Sequence, residues 1–244
     1  MCEQCETRGL GWKGWNALPS AKLPSPQGEW FDLSHRVGPQ MPRAHVFPPP
    51  RFEKIMTLPA DPINATRFEM VVHTGTHVDA PRHFYNDGPA FDEIPFERLH
   101  GPGAVLHFDA EPGGSIDVKD FERYDRLVQA GDIIVIETGW SEKYGTETYE
   151  INPCITVGAA QWLVERNVKL IACDFATPDL AIPLRPQGFT WPVHQVLLSS
   201  GVLICEHLLS ATKLAGKRAE FVFGALGIIG SDGAPARVLA RAIA

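Results

Sequence analysis

A chain of 244 residues with 44% apolar and 21% charged side chains has the composition of an ordinary globular protein, and its length fits one large domain. A net charge of -7 argues against a nucleic-acid binder, which needs a basic face, and no basic amphipathic stretch points to a membrane surface. Five cysteines, an odd number in a chain this long, do not read as a disulfide framework. The N-terminus lacks the basic region and apolar run of a signal peptide, and no apolar stretch is long enough to span a bilayer, so a cytoplasmic location is the default expectation. Cys2 and Cys5 form a CxxC without a second pair at zinc-finger spacing, and read as part of a solvated arm rather than a structural zinc site.

Residues 1 to about 30 carry scattered Gly, Pro and Trp without a period, which predicts an irregular arm packed on the body or on a neighbouring subunit. From Phe31 to Pro62 proline is frequent, including Pro48-Pro49-Pro50, so regular structure should be sparse and the segment is suited to framing a binding site. Phe68 to His73 and Gly103 to Phe108 read as strands. Asp117 to Val128 has helical spacing, with Asp117 as N-cap and Gly131 as stop. Asp132 to Glu137 is a short apolar run of the buried-strand kind. Thr156 caps a predicted helix to Arg166, and Lys169 to Cys173 is the next strand. A short helix is expected from Val193 to Leu198, with Pro192 in its first turn. Val202 to Cys205 and Phe221 to Ile229 are further strands, whereas Arg237 to Ile243 alternates only partly. Cys154, Cys173 and Cys205 lie in or beside apolar runs and read as core residues. Strands interleaved with helices predict an α/β domain over residues 31–244 with a mixed sheet.

The chemistry concentrates in His73-Thr-Gly-Thr-His77-Val-Asp79-Ala-Pro-Arg-His83. Three of the nine histidines and an aspartate fall within eleven residues, all at odd positions, so an extended chain would project them to one side. Gly75 and Pro81 argue against a helix, and the expected arrangement is a strand ending near His73 followed by a tight loop. Two imidazoles and a carboxylate suit Zn²⁺ or Mn²⁺ and leave a position open for water, as catalytic sites do.

This segment resembles the HxGTHxDxPxH signature of the cyclase family of metal-dependent hydrolases, a family that includes bacterial kynurenine formamidase and isatin hydrolase. The resemblance continues through Asp32-Leu-Ser-His35, Thr138-Gly-Trp140, Cys173-Asp-Phe-Ala-Thr-Pro178-Asp179 and Gly233-Ala-Pro-Ala-Arg237, and so covers about residues 30 to 244. It implies His73, His77 and Asp79 as metal ligands and His83 as the acid/base. In the formamidase branch a further His and Glu twelve residues apart complete a two-metal centre, and His194 and Glu206 match that spacing. The resemblance also implies a swivelling β/β/α fold and a homodimer or homotetramer.

The expected chemistry is hydrolysis of the amide bond of a small aromatic formamide or cyclic amide. A divalent cation lowers the pKa of water toward about 7, and His83 would pass a proton to the leaving nitrogen. A lactone or cyclic ester is an alternative substrate, and a non-catalytic metal- or ligand-binding protein is an alternative of a different class, against which the retained His83 speaks. The Trp-Pro that the formamidase pattern carries after its Asp-Leu-Ser segment is absent, and Phe47-Pro48 is the aromatic candidate for its place. Other readings are weaker: Asp174 orienting a ligand's ring or capping the Thr177-Pro178 turn, Phe189 and Trp191 as an apolar wall, His35 and His45 as surface histidines, and His207 pointing away from Glu206. Glycines 224, 227, 230 and 233 read as close backbone packing.

Overall fold

A computed structural model describes residues 11–19 and 28–243, so the Cys2/Cys5 pair lies outside the described residues. The strands in chain order are β1 (Phe31–Asp32), β2 (Arg51–Met56), β3 (Ala65–Glu69), β4 (His77–Asp79), β5 (His100–His107), β6 (Ser115–Ile116), β7 (Ile133–Glu137), β8 (Cys154–Ile155), β9 (Leu170–Cys173), β10 (Leu203–Glu206), β11 (Arg218–Ala225) and β12 (Gly233–Ala242). Three α-helices accompany them: α1 (Val118–Glu122), α2 (Val157–Glu165) and α3 (Pro192–Ser199).

The main sheet runs β1-β12-β11-β5-β7-β9-β10-β4, and a further pairing of β4 with β12 closes seven of these strands into a barrel. β5, β7, β9 and β10 are parallel neighbours, and the other pairings are antiparallel, so the expected mixed sheet is present in a closed form. Closure removes the exposed edges of an open sheet. The parallel strands are buried on both faces, which explains the unbroken apolar run Ile133-Ile134-Val135-Ile136.

Alternation along the strands sorts the core into two bodies. Val78, Val105, Ile133, Val135, Leu203 and Cys205 share one apolar cluster with residues of β11 and β12, and this cluster fills the barrel. Ile134, Ile136, Ile171 and Ile204 belong to the other cluster, which packs the outer wall against α2 and α3. His77 and Asp79 flank Val78, and Glu206 follows Cys205, so all three leave the barrel wall on the outer, helix-bearing side.

Local chemistry explains the helices. Thr156 accepts from the Ala159 amide at 3.2 Å, a cap worth about 1 kcal/mol. Asp117 accepts from Val118 N while Asp120 accepts from Asp117 N, but α1 stops at Glu122, short of the expected Val128. Beyond it the chain is tied down by the Tyr124 hydroxyl, which donates to the His107 carbonyl at 2.6 Å. The described part of the N-terminal arm lies on the body. Lys13 N donates to Ser199 O, and the buried Arg98 guanidinium donates to Asn16 O, Asn16 Oδ1 and Gly201 O, with Trp15 packed on its face at 4.3 Å.

Several expectations need correction. The strand expected over Phe68 to His73 ends at Glu69, because the chain must turn to bring His73 beside Asp79. The Pro-rich segment holds β2, which pairs with β3 as a hairpin. β11 ends at Ala225, short of Ile229, and the partly alternating C-terminal segment is the ten-residue β12. Its pattern is blurred because it changes neighbours: Gly233 to Pro235 pair with β4, and the remainder pairs with β11. Pro235 sits at that exchange, where a missing N–H is tolerated.

Candidate metal centre

The site starts from a turn whose left-handed backbone favours glycine. Gly75 has φ +67°, and a Cβ there would meet Met41 Cε at 2.2 Å. Thr76 fixes the far side of the turn, accepting from His35 N and donating to His207 O at 2.6 Å. The chain then enters β4, where His77 stands opposite Glu206 and Asp79 opposite Ile204 in the antiparallel ladder. A loop residue would not have this precision: His77, Asp79 and Glu206 are held by strand register. Ala80 is extended, Pro81 opens a single 3₁₀ turn, and that turn presents His83. His194 arrives from α3 on the outer wall.

All six residues singled out from the sequence come together. His77 Nε2 lies 3.2 Å from Asp79 Oδ1 and 3.5 Å from Glu206 Oε2. His194 Nε2 lies 3.5 Å from Asp79 Oδ2 and 3.3 Å from Glu206 Oε1. Atoms bound tetrahedrally about 2.0–2.2 Å from one cation sit about 3.3–3.6 Å from each other, so these are ligand–ligand spacings. The donor chemistry agrees, since His77 Nε2 and Glu206 Oε1 are buried without a hydrogen-bond partner. The His77 Nδ1–H donates to Gly75 O at 2.7 Å, which leaves the Nε2 lone pair facing the cluster. The two carboxylates each direct one oxygen to His77 and the other to His194. A cation fits His77, Asp79 and Glu206, whose donor atoms all lie within 4.8 Å of one another, and His194 stands on the far oxygens of the same two carboxylates.

His73 and His83 form a second group of donors with Asp79. His73 is held between Asp79 Oδ1 at 2.7 Å and Asp232 Oδ2 at 2.8 Å. Burial opposes its charge, but the two carboxylates outweigh that and raise its pKa to about 10. Hydrogen bonds from His73 and His83 hold Asp232 well below the usual carboxylate range. Burial would raise Asp79, yet its hydrogen bonds with His194 and His73 keep it ionised well below its ordinary value. His83 stacks on His73 at 3.9 Å between ring centroids, and its Nδ1 is 3.3 Å from Asp232.

Three supporting residues were not found from the sequence. Asp179 accepts from His194 Nδ1 at 2.6 Å and from the amides of Val193 and His194 at 3.0 Å, so it both orients the ring and caps α3 from a distant loop. Burial opposes the imidazolium of His194, and Asp179, Asp79 and Glu206 together raise it well above its ordinary pKa. The second missed residue is Asp232, 159 residues from the His73 it grips. The third is His207. It was expected to point away, but its φ of +56° swings the ring back to line the cavity, where Nδ1 and the Tyr149 hydroxyl share a hydrogen bond of 2.7 Å. Asp174 serves neither expected role, and accepts instead from Thr138 N, Thr138 Oγ1 and Trp140 N. Burial dominates its pKa, which rises to about 6.

The cluster opens into a cavity of about 680 Å³, large enough for a small aromatic molecule. Phe47, Phe84, Phe189 and Trp191 line it, and the Phe47 ring stacks toward His73 with centroids 6.4 Å apart. His45 is exposed and pairs with Glu150, while His35 packs on Tyr144; neither lines the cavity. Of the four spaced glycines, Gly233 is the tightly packed one: a Cβ there would meet His73 Cε1 at 2.7 Å. Gly224 is close to Arg237 O, whereas Gly227 and Gly230 face open space.

The family model described as "Putative cyclase" matches residues 31–180, more than half of the chain. The chain belongs to this cyclase family of metal-dependent hydrolases. A kynurenine formamidase from Bacillus cereus is 28% identical over 181 residues, covering 74% of this chain and 81% of its own length. A predicted metal-dependent hydrolase from Bacillus stearothermophilus superposes with a TM-score of 0.71 at 28% identity, over 87% of this chain and 97% of the other. The fold is also that of isatin hydrolase A from Labrenzia aggregata, with a TM-score of 0.80 at 23% identity over 88% and 94% of the two chains. This cyclase-family chain has no helix, among its described residues, long and apolar enough to cross a membrane.

Proposed function

We propose that this enzyme hydrolyses the amide bond of a small aromatic formamide or cyclic amide at the cluster of His73, His77, Asp79, His194 and Glu206. The observation that carries the reading is the set of four donor side chains at ligand spacing, two of them with unpartnered buried atoms, opening on an aromatic-lined cavity beside His83. The kynurenine formamidase relatives support the choice of an amide over an ester.

His77, His194, Asp79 and Glu206 would hold one or two divalent cations, zinc or manganese, with His73 joining once it gives up a proton. Bound there, the cation supplies a Lewis acid that makes water nucleophilic at neutral pH and polarises the substrate carbonyl. His77 and His194 offer Nε2, their other ring nitrogens being fixed by Gly75 O and Asp179. His83 lines the cavity, is partly open to solvent, and is steadied by Asp232. It takes the proton released as water attacks and returns it to the leaving nitrogen, without which an amine leaves poorly. Phe47 beside His73 and Phe84 beside His194 line the cavity and would exclude water around the reacting carbonyl.

The test is an assay on a formanilide, an isatin-like lactam and an aryl lactone, before and after chelation and resupply of zinc or manganese. The reading expects turnover of at least one amide that chelation abolishes and metal restores. Cleavage of the lactone alone would move the enzyme to ester substrates, and metal uptake with no turnover of any of the three would favour a binding protein.

A further inference from the structure

The same cavity is lined by two arginines, Arg43 and Arg185, that the metal centre does not use. Among the described residues no carboxylate comes within ion-pair distance of either. Elsewhere in the chain partly buried guanidiniums are matched: Arg218 to Asp132, Arg241 to Glu220, and Arg98 to three oxygens of the arm and Gly201. A desolvated cation without a counter-charge is costly unless a ligand supplies one.

Arg185 is also fixed in direction. Its Nε donates to Leu180 O at 2.7 Å, and its Cζ packs 5.0 Å from the Phe189 centroid and 5.1 Å from that of Trp191. With Nε engaged and the face covered, the outer Nη edge is left to bind. Rings link it to the reacting centre: His194 to Phe84 at 5.1 Å, and Phe84 to Trp191 at 6.3 Å. Burial lowers the Arg185 pKa, while the charges of Asp179 and Glu206 act on it in the opposite sense, which places it within their field. A guanidinium stays charged throughout.

Resting on the hydrolase reading above, we propose that the substrate carries a carboxylate on its aromatic part and that Arg185 selects it, gripping both oxygens while Phe84 and Trp191 flank the ring. The planar fork matches a carboxylate edge to edge. A single negative charge suits a cavity that also contains the acidic metal cluster better than a doubly charged phosphate does.

Binding of aminobenzoates tests this without requiring turnover. Metal-supplied wild-type protein is titrated with the ortho, meta and para isomers and with the matching neutral aminobenzamides, followed by ligand or tryptophan fluorescence. At least one acid should bind about ten- to a hundred-fold tighter than its amide. Arg185→Gln should abolish that preference while holding its affinity for the amides, which also shows that the variant is folded. Equal wild-type affinity for acids and amides would overturn the proposal, as would a preference that survives in Arg185→Gln. Binding decides the proposal and turnover decides the reading it rests on: an Arg185-dependent preference in a protein that cleaves no amide would support the carboxylate site and sink the hydrolase assignment.

Discussion

Asp179→Asn removes one charge and almost no volume from a side chain that is 1% exposed, and its cost follows from three hydrogen bonds. The carboxylate accepts from His194 Nδ1 at 2.6 Å and from the amides of Val193 and His194 at 3.0 Å each. Asparagine keeps one accepting oxygen and turns its NH₂ toward one of these donors whichever way the amide is placed. A buried donor left without an acceptor costs about 1–3 kcal/mol of folding stability. His194 also loses the negative partner that fixes which ring nitrogen carries the proton, a loss that typically weakens metal binding about 10–100-fold, or about 1.4–2.8 kcal/mol. Calorimetric metal titration, with urea unfolding of the metal-free protein alongside, measures the two effects separately. Wild-type metal affinity in a variant destabilised by the expected amount would refute the claim that Asp179 prepares His194 as a ligand, and would leave Asp179 as a helix cap only.

Three further predictions are independent of that one. His83→Ala should keep its metal content and lose about 10²–10⁴-fold in kcat, and loss of metal with activity would instead make His83 a ligand within the His73–Asp79–His83 group. In metal-free protein the raised pKa of His73 contributes stability that is full below about 6.5 and is lost as pH rises through about 10, so Tm should fall across that range. The same proton must leave for His73 to bind a cation, so metal affinity should rise over the range, and a pH-independent Tm in chelated protein would contradict this. Arg98→Ala strands the carbonyls of Asn16 and Gly201 and should cost about 2–4 kcal/mol in urea unfolding, whereas a change under about 0.5 kcal/mol would show that the arm does not depend on this clamp.

Much of the site was legible because its ligands are close in sequence. His73 to His83 announces itself as a run, and Gly75 and Pro81 correctly exclude a helix there. His194 and Glu206 were legible only through resemblance, since an isolated His on a helix and a Glu ending a strand carry no signal of their own. Asp179 lies in a segment that carries the resemblance, but nothing in the sequence gives it a role toward His194, fifteen residues on. Asp232 was invisible because it meets His73 only once β12 pairs with β4 to complete the barrel. His207 was misjudged because extended geometry was assumed where the backbone is left-handed. The fold divides in the same way. The buried parallel strands β7, β9 and β10 declare themselves by composition, whereas β12 exchanges neighbours along its length and so has no single inward face to show as a period.

A crystal structure of protein supplied with zinc or manganese, with anomalous scattering recorded at the metal edge, tests the central claim most directly. The account predicts an anomalous peak within bonding distance of His77 Nε2, Asp79 and Glu206, and, if a second cation binds, another beside His194 Nε2. A well-ordered protein with ample metal but no peak among these side chains, or with the metal held elsewhere, would contradict it.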